Sequence, residues 1–251
     1  MDPDFQGRAA VITGGAGDIG RAAARRFQEG GARVVLLDSD SVGLDSALGE
    51  LPGAGGLPGA EARRVDVTNL AEVDAAFAEI HSALGRIDVL VNCAGIYRHR
   101  LIAEMSGEEW DETLSVNLRG VFAACRAAGR IMAAQEGGGA IVNLASIAAQ
   151  RGSPLHAHYA ASKAGIIGFG RGLAMELAPK VRVNAVAPGI IDSKMIAGMR
   201  ESRGEAWMSQ IPMERFGRPD EVADAICFLA SDRAAYINGA VLNVNGGMWM
   251  D

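Results

Sequence analysis

Short apolar runs alternate with longer mixed segments along most of the chain. The runs fall at residues 8–13, 33–37, 87–91, 140–144, 181–187 and 240–244, with 62–65, which holds two arginines, taking the third place in the series before Asp66-Val67. Each is four to seven residues long and shows little apolar–polar alternation. That pattern predicts strands buried on both faces, as in a parallel sheet. Between them the composition turns helical at 21–29, 69–84, 116–135 and 157–178, and again from Pro219. Asn69 with Glu72, and Ser106 with Glu109, have the spacing of helix N-caps and capping boxes. Pro219-Asp220-Glu221 places proline and two acids in a first helical turn. Residues 51–59 read as a glycine- and proline-rich loop, and 190–216 as an irregular, methionine-rich segment. The alternation predicts an α/β fold: one Rossmann-type doubly wound parallel sheet of about seven strands with helices on both faces. It spans 1–251 as a single domain, with 190–216 as a substrate-covering segment.

Composition narrows the class. The 251 residues are 49% apolar and only 5% aromatic, so a large core must be built from Ala, Val, Ile and Leu. The net charge is −6 and no run of five basic residues exists, which argues against nucleic acid as a partner. No apolar stretch reaches eighteen residues, so no membrane span is expected. The start M-D-P-D-F-Q-G lacks the features of a signal peptide, and three scattered cysteines fit a reduced, cytoplasmic protein. The four histidines do not form a metal set; His156 and His158 read as loop or pocket residues, and no metal is expected.

In an open parallel sheet, ligands bind beyond the strand C-termini. Several chemistry-bearing residues follow strands at that rim. After the first strand comes Thr13-Gly14-Gly15-Ala16-Gly17-Asp18-Ile19-Gly20, leading into a helix. Glycines there allow close approach of a pyrophosphate, whose charge a helix N-terminus favours. Asp38 ends the second run, eighteen residues after Gly20, placed to accept from an adenosine ribose. Asp66, Asn92, Ser146 and Pro188 follow later strands. Tyr159 and Lys163 lie four apart, hence on one helix face, thirteen and seventeen residues after Ser146. An ammonium beside a phenol favours the phenolate, so Lys163 is expected to lower the Tyr159 pKa toward neutral pH. Tyr97-Arg98-His99-Arg100 could attract an anion but reads better as a solvated loop.

Together these motifs resemble the short-chain dehydrogenase/reductase family, from Thr13 to Gly247. Its cofactor motif T-G-x-x-x-G-x-G matches Thr13, Gly14 and Gly20, with Asp18 where the middle glycine is usual and Gly17 one residue earlier. A carboxylate near phosphates is unfavourable unless it points away. The family's N-N-A-G becomes Asn92-Cys93-Ala94-Gly95, and its P-G-x-x-x-T turn becomes Pro188-Gly189 with Ser193 in the last place. The resemblance implies a catalytic set of Asn117, Ser146, Tyr159 and Lys163. It implies NAD bound by Gly14, Gly17, Asp18, Ile19, Gly20, Asp38, Asp66, Val67, Asn92, Ala94 and Gly95, by Tyr159 and Lys163, and by Pro188, Gly189, Ile191 and Ser193. Tyr159 would exchange the alcohol proton, Ser146 orient the substrate oxygen, and Asn117 hold a water leading to Lys163. Ser146, Ala148, Tyr159, Gly189, Met195, Met199 and Trp207 are expected around the substrate. Small residues in 116–134 and 157–178 imply, through the same resemblance, a homotetramer. Two enzyme readings stand: an NAD-linked dehydrogenase of a secondary alcohol, sugar or polyol, and a 3-oxoacyl-carrier-protein reductase. A cofactor-binding regulator is the reading from outside catalysis, and the intact Ser146, Tyr159 and Lys163 set counts against it.

Overall fold

Seven parallel strands form one sheet in the computed structural model, which describes residues 4–51 and 59–250, without the side chains of 199–203. The strands are β1 (Ala9–Thr13), β2 (Arg33–Asp38), β3 (Ala60–Arg64), β4 (Val89–Asn92), β5 (Gly139–Leu144), β6 (Val181–Pro188) and β7 (Val241–Val244). Their order across the sheet is β3-β2-β1-β4-β5-β6-β7. It reverses direction between β1 and β4, where Thr13 stands in register with Asn92. A crevice opens beyond the strand ends at such a reversal.

The helices are α1 (Asp18–Glu29), α2 (Ser41–Glu50), α3 (Leu70–Leu84), α4 (Gly107–Leu114), α5 (Gly120–Ala134), α6 (Ala148–Arg151), α7 (Ala157–Leu177), α8 (Lys194–Met208) and α9 (Pro219–Ala230). A single π-helical turn, Ser115–Arg119, joins α4 to α5. α1, α2 and α9 cover one face of the sheet around Phe27, Leu36, Val222 and Ile226. α3, α5 and α7 cover the other around Phe77, Ile80, Met132, Ile141 and Ile166. Each such side chain, fully buried, contributes roughly 1.5–3 kcal/mol. Covering both faces explains the unbroken apolar runs. The central strands β1 and β4 are buried at every residue, whereas edge strand β3 carries Glu61, Arg63 and Arg64.

Local chemistry sets several helix starts. Ser106 and Glu109 close a full capping box on α4. Asn69 caps α3 by accepting from Ala71 and Glu72, but the Glu72 carboxylate turns to the Asp66 N–H, so no box closes there. Asp40 caps α2, a helix the sequence pattern did not announce. The segment 190–216 is also more ordered than expected, because fifteen of its residues form α8. Gly198, Gly204 and the lack of an apolar stripe hid that helix: it lies over a cleft instead of burying a face on the sheet. Seven of the nine positions of the loop expected at 51–59, namely 52–58, and the Met199 side chain lie outside the described residues.

Candidate active site

The glycine turn after β1 is shaped by close backbone approaches. Gly14 has φ +69°, and a Cβ there would come within 2.5 Å of the Ala94 nitrogen. A Cβ at Gly20 would lie 2.2 Å from the Gly14 carbonyl oxygen. Neither position accepts a side chain, so the turn folds tightly under the start of α1, capped by Gly17. Asp18 opens that helix. Its carboxylate accepts a 2.6 Å bond from the backbone N–H of Lys194, the first residue of α8. The acid at the usual glycine position is therefore held by another element rather than aimed at the turn.

Asp38, at the end of β2, accepts from Ala16 N–H at 3.1 Å and from Asp40 N–H at 3.1 Å. A carboxylate offers about four lone-pair sites, so acceptor capacity remains for ribose hydroxyls. Two arginines bear on this end of the site. Arg64 stands opposite Asp38 in the β2–β3 register and lies 3.8 Å from Glu72. Arg21, buried behind the turn, donates to the Ala16 and Gly43 carbonyls and pairs with Glu50. Asp66 shapes its own turn by accepting from the Thr68 N–H and hydroxyl, and Val67 packs where a Gly120 side chain would stand. Asn92 is buried below the crevice, donating to Asn143 at 2.8 Å.

Ser146 follows β5, and its Oγ accepts from Ala148 N–H at 3.1 Å. Tyr159 and Lys163 come one turn apart on α7, with the ammonium 5.7 Å from the phenol ring centre. Lys163 is buried and donates to the Leu144 carbonyl at 2.6 Å. Burial pushes its pKa down to about 8, with Cys93 acting the other way. Burial also pushes the Tyr159 phenol up to about 12, against a hydrogen bond with Ser146 that lowers it. Desolvation of the phenolate dominates, and the Tyr97 phenol adds to the upward shift.

Asn117 sits in the π turn, fully buried. Its side chain accepts from Ile96 N–H at 2.8 Å and donates to the Ile96 carbonyl at 3.0 Å and the Ser162 hydroxyl at 3.2 Å. It clamps the backbone just after Gly95, at which a Cβ would lie 3.3 Å from Asn117 and 3.7 Å from Lys163 Nζ.

These elements enclose a cleft of about 720 Å³. Of the residues singled out from sequence, Gly14, Gly17, Asp18, Ile19, Gly20, Gly95, Ser146, Ala148, Tyr159, Lys163, Pro188, Gly189, Ile191, Ser193, Met195 and Trp207 line it. Asp38, Asp66, Val67, Asn92, Ala94 and Asn117 are not in its lining. Sequence reasoning missed Cys93, Tyr97 and Ser153 in the lining, whereas His156, read as a loop or pocket residue, is found there. The alternation in Tyr97-Arg98-His99-Arg100 was the available signal. Arg98 and Arg100 pair with Glu112 and Glu109 of α4, while Tyr97 and His99 turn to His156. Among the described residues no group of three or more His, Cys, Asp or Glu could hold a metal ion, and no helix is long and apolar enough to cross a membrane.

Comparison with known proteins gives a consistent picture. A family model described as enoyl-(acyl carrier protein) reductase matches residues 14–249. The 3-oxoacyl-(acyl-carrier-protein) reductase of Thermotoga maritima is 42% identical over 246 residues, covering 97% of this chain and 98% of the relative. Its Escherichia coli namesake is 38% identical over 248 residues, covering 98% and 99%. A Brucella melitensis short-chain dehydrogenase/reductase, titled glucose/ribitol dehydrogenase, superposes with a TM-score of 0.93 at 39% identity over 100% of both chains. A levodione reductase superposes at 0.91 with 34% identity, over 97% and 98%.

Proposed function

The chain belongs to the short-chain dehydrogenase/reductase family, and on that premise we propose that it is an NAD-dependent oxidoreductase interconverting a secondary alcohol and a ketone. The observation that carries the reading is the convergence of Ser146, Tyr159 and Lys163 in the cleft that begins at the glycine turn. The residues present fit a nicotinamide dinucleotide, since the tightly folded glycine turn and the start of α1 line the cleft and Asp38 keeps acceptor capacity. The backbone of Gly17, Asp18 and Ile19 would hold the pyrophosphate, Asp38 the ribose, and Asp66 and Val67 the adenine end. Asn92, Ala94 and Gly95 would shape the middle of the site, and Pro188, Gly189, Ile191 and Ser193 the nicotinamide end. When bound, the nicotinamide supplies the acceptor or donor of hydride.

Tyr159 exchanges the proton of the reacting oxygen. In the ligand-free chain its high pKa keeps the phenol protonated at neutral pH, which suits a general acid toward a ketone. Toward an alcohol it must act as phenolate, and the Lys163 ammonium is the charge that favours this form. Ser146 donates to the substrate oxygen and aligns it with Tyr159. Asn117 acts from behind, by fixing the Gly95–Ile96 backbone against Lys163. α8 covers the substrate, with Met195 and Trp207 as apolar wall. No group of the mechanism calls for a metal. We place the protein in the cytoplasm as a homotetramer.

Asp38 decides the cofactor in this reading. A carboxylate accepts from a ribose 2′-hydroxyl and repels a 2′-phosphate, and of the two arginines at this end Arg21 is paired with Glu50 and Arg64 lies 3.8 Å from Glu72. The 3-oxoacyl-carrier-protein reductase reading is the second, favoured by the names of the relatives at about 40% identity. A panel of secondary alcohols, polyols and 3-oxoacyl thioesters, each assayed with NAD(H) and NADP(H), separates the two. Oxidation with NAD supports the first, and efficient thioester reduction with NADPH alone supports the second.

A further inference from the structure

The cleft is cationic in an acidic protein. The chain carries a net charge of −6, yet among the described residues the charged groups lining the cleft are Arg151, Lys163 and Lys194 against the carboxylate of Asp18. Two of these cations already have a place. Lys163 stands beside Tyr159 and donates to the Leu144 carbonyl. Lys194 is tied through its backbone N–H to Asp18, at the head of α1, where a dinucleotide's pyrophosphate belongs. The third cation, Arg151, ends α6 on the Ser146 side of the cleft.

Arg151 is held by a neutral group. Its Nη2 donates to Gln210 Oε1 at 2.7 Å, and Gln210 Nε2 donates to the Ala206 carbonyl at 2.8 Å, near the end of α8. The guanidinium therefore links α6 to the lid across the rim of the cleft. Among the described residues no carboxylate pairs with it, whereas Arg98 and Arg100 of the loop after β4 meet Glu112 and Glu109. Only one of its five N–H donors is spent, on an amide, so its charge is uncompensated. The fork of a guanidinium fits a carboxylate bidentately. One such cation balances one negative charge; a phosphate dianion would call for two. Placement sets the spacing. Arg151 follows Ser146 by five residues of helical chain, a rise of about 7.5 Å. Ile147, Ala148, Met195 and Trp207 line the cleft with apolar surface. A short aliphatic stretch thus separates the reacting oxygen from the cation.

We propose that Arg151 reads a carboxylate on the substrate, which is a hydroxy acid: a secondary alcohol joined through a short aliphatic chain to a terminal carboxylate. The proposal rests on the dehydrogenase reading and names its substrate class. The reacting carbon gives its hydrogen, with both electrons of the C–H bond, to NAD. The hydroxyl proton passes to Tyr159 as phenolate, and a C=O bond forms, leaving the keto acid. The carboxylate takes no part in the bond changes and stays on Arg151.

The probes are 5-hydroxyhexanoate, its methyl ester and 5-hydroxyhexyl phosphate, which share one secondary alcohol and differ in charge. Their kcat and KM at saturating NAD are measured in the unaltered protein and in Arg151→Gln, Arg151→Lys and Gln210→Glu. Calorimetry follows binding of 5-oxohexanoate and its methyl ester to the protein saturated with NADH. Arg151 is exposed, so the effect is moderate and screened by salt. The unaltered protein favours the acid over the ester by about fivefold in kcat/KM at low salt, chiefly through KM, and binds the keto acid over its ester in the same order. Arg151→Gln brings both ratios to about one, and Arg151→Lys keeps part of them. Gln210→Glu leaves the arginine in place but gives it a carboxylate of its own, so it also brings the ratios to about one and supplies the reading if the Arg151 variants do not fold. An ester used as well as the acid, ratios untouched in both Arg151→Gln and Gln210→Glu, equal losses on acid and ester, or a phosphate preferred to the acid overturns the proposal and leaves the dehydrogenase reading standing. Selective binding of the keto acid without oxidation of any probe keeps the role of Arg151 and removes the dehydrogenase reading. Neither binding nor oxidation overturns both.

Discussion

At the residue scale two influences compete at Tyr159. Desolvation and the Tyr97 phenol oppose the phenolate, and the hydrogen bond with Ser146 favours it. Replacing Tyr159 by Phe removes only the transferable proton, so turnover is abolished while NADH binding, followed by its fluorescence, persists. Near-normal rates in that variant would remove Tyr159 from the mechanism. Lys163→Ala removes a charge and a donor to the Leu144 carbonyl, so both turnover and NADH affinity fall. The pH profile follows from the same pair. Alcohol oxidation needs the phenolate, so its kcat/KM rises with pH while Lys163 stays charged. Lys163 loses its proton near pH 8, well below an ordinary lysine, and the rise bends there. A profile flat from pH 6 to 9 contradicts this assignment. Linkage gives a separate signature in stability. A depressed lysine pKa means the unfolded chain binds more protons above about 8, so this group's penalty is full below that pH and is relieved as pH rises toward its unfolded value.

Among the elements, α8 takes an acceptor for its first N–H from a distant residue. Ser193 makes no side-chain cap, and Asp18 supplies an acceptor to the Lys194 N–H instead. Asp18→Gly, which restores the family's usual residue, removes that acceptor at a cost of about 1 kcal/mol. Amide exchange at the start of α8 should then quicken by roughly fivefold; unchanged protection there means Asp18 does not hold the helix. The same bond explains why α8 was illegible beforehand: its partner lies 176 positions away. α2 escaped notice because Gly43 and Gly49 dilute a short helix whose start rests on Asp40. The π turn at Asn117 depends on the Ile96 backbone, a contact no local pattern encodes. By contrast the Ser106–Glu109 box and the Ser146, Tyr159 and Lys163 set rest on fixed local spacings, and these were readable. The loop Tyr97–Arg100 misled because its basic residues dominate its composition, while its rings face the cleft.

Across the whole molecule, the parallel sheet and its two covered faces were legible because every interior strand is an apolar run. α5 and α7 leave apolar surface outside that core: Phe122 is 38% exposed and Met175 83%. Their small residues permit close helix contact, so we expect a tetramer built on this face. Light scattering at micromolar concentration checks it, and a monomer mass contradicts it. The charge layout at the Asp38 end, where Arg64 stands opposite Asp38 near Glu72 and Arg21 is paired with Glu50, bears on the central claim of NAD-linked alcohol oxidation. The most direct measurement is the kcat/KM of the purified protein for NAD and for NADP with one good secondary alcohol. NAD should be preferred by at least about tenfold, or ~1.4 kcal/mol, and Asp38→Ala should narrow the gap. Equal or better efficiency with NADP would contradict the account and put the carrier-protein reductase reading first.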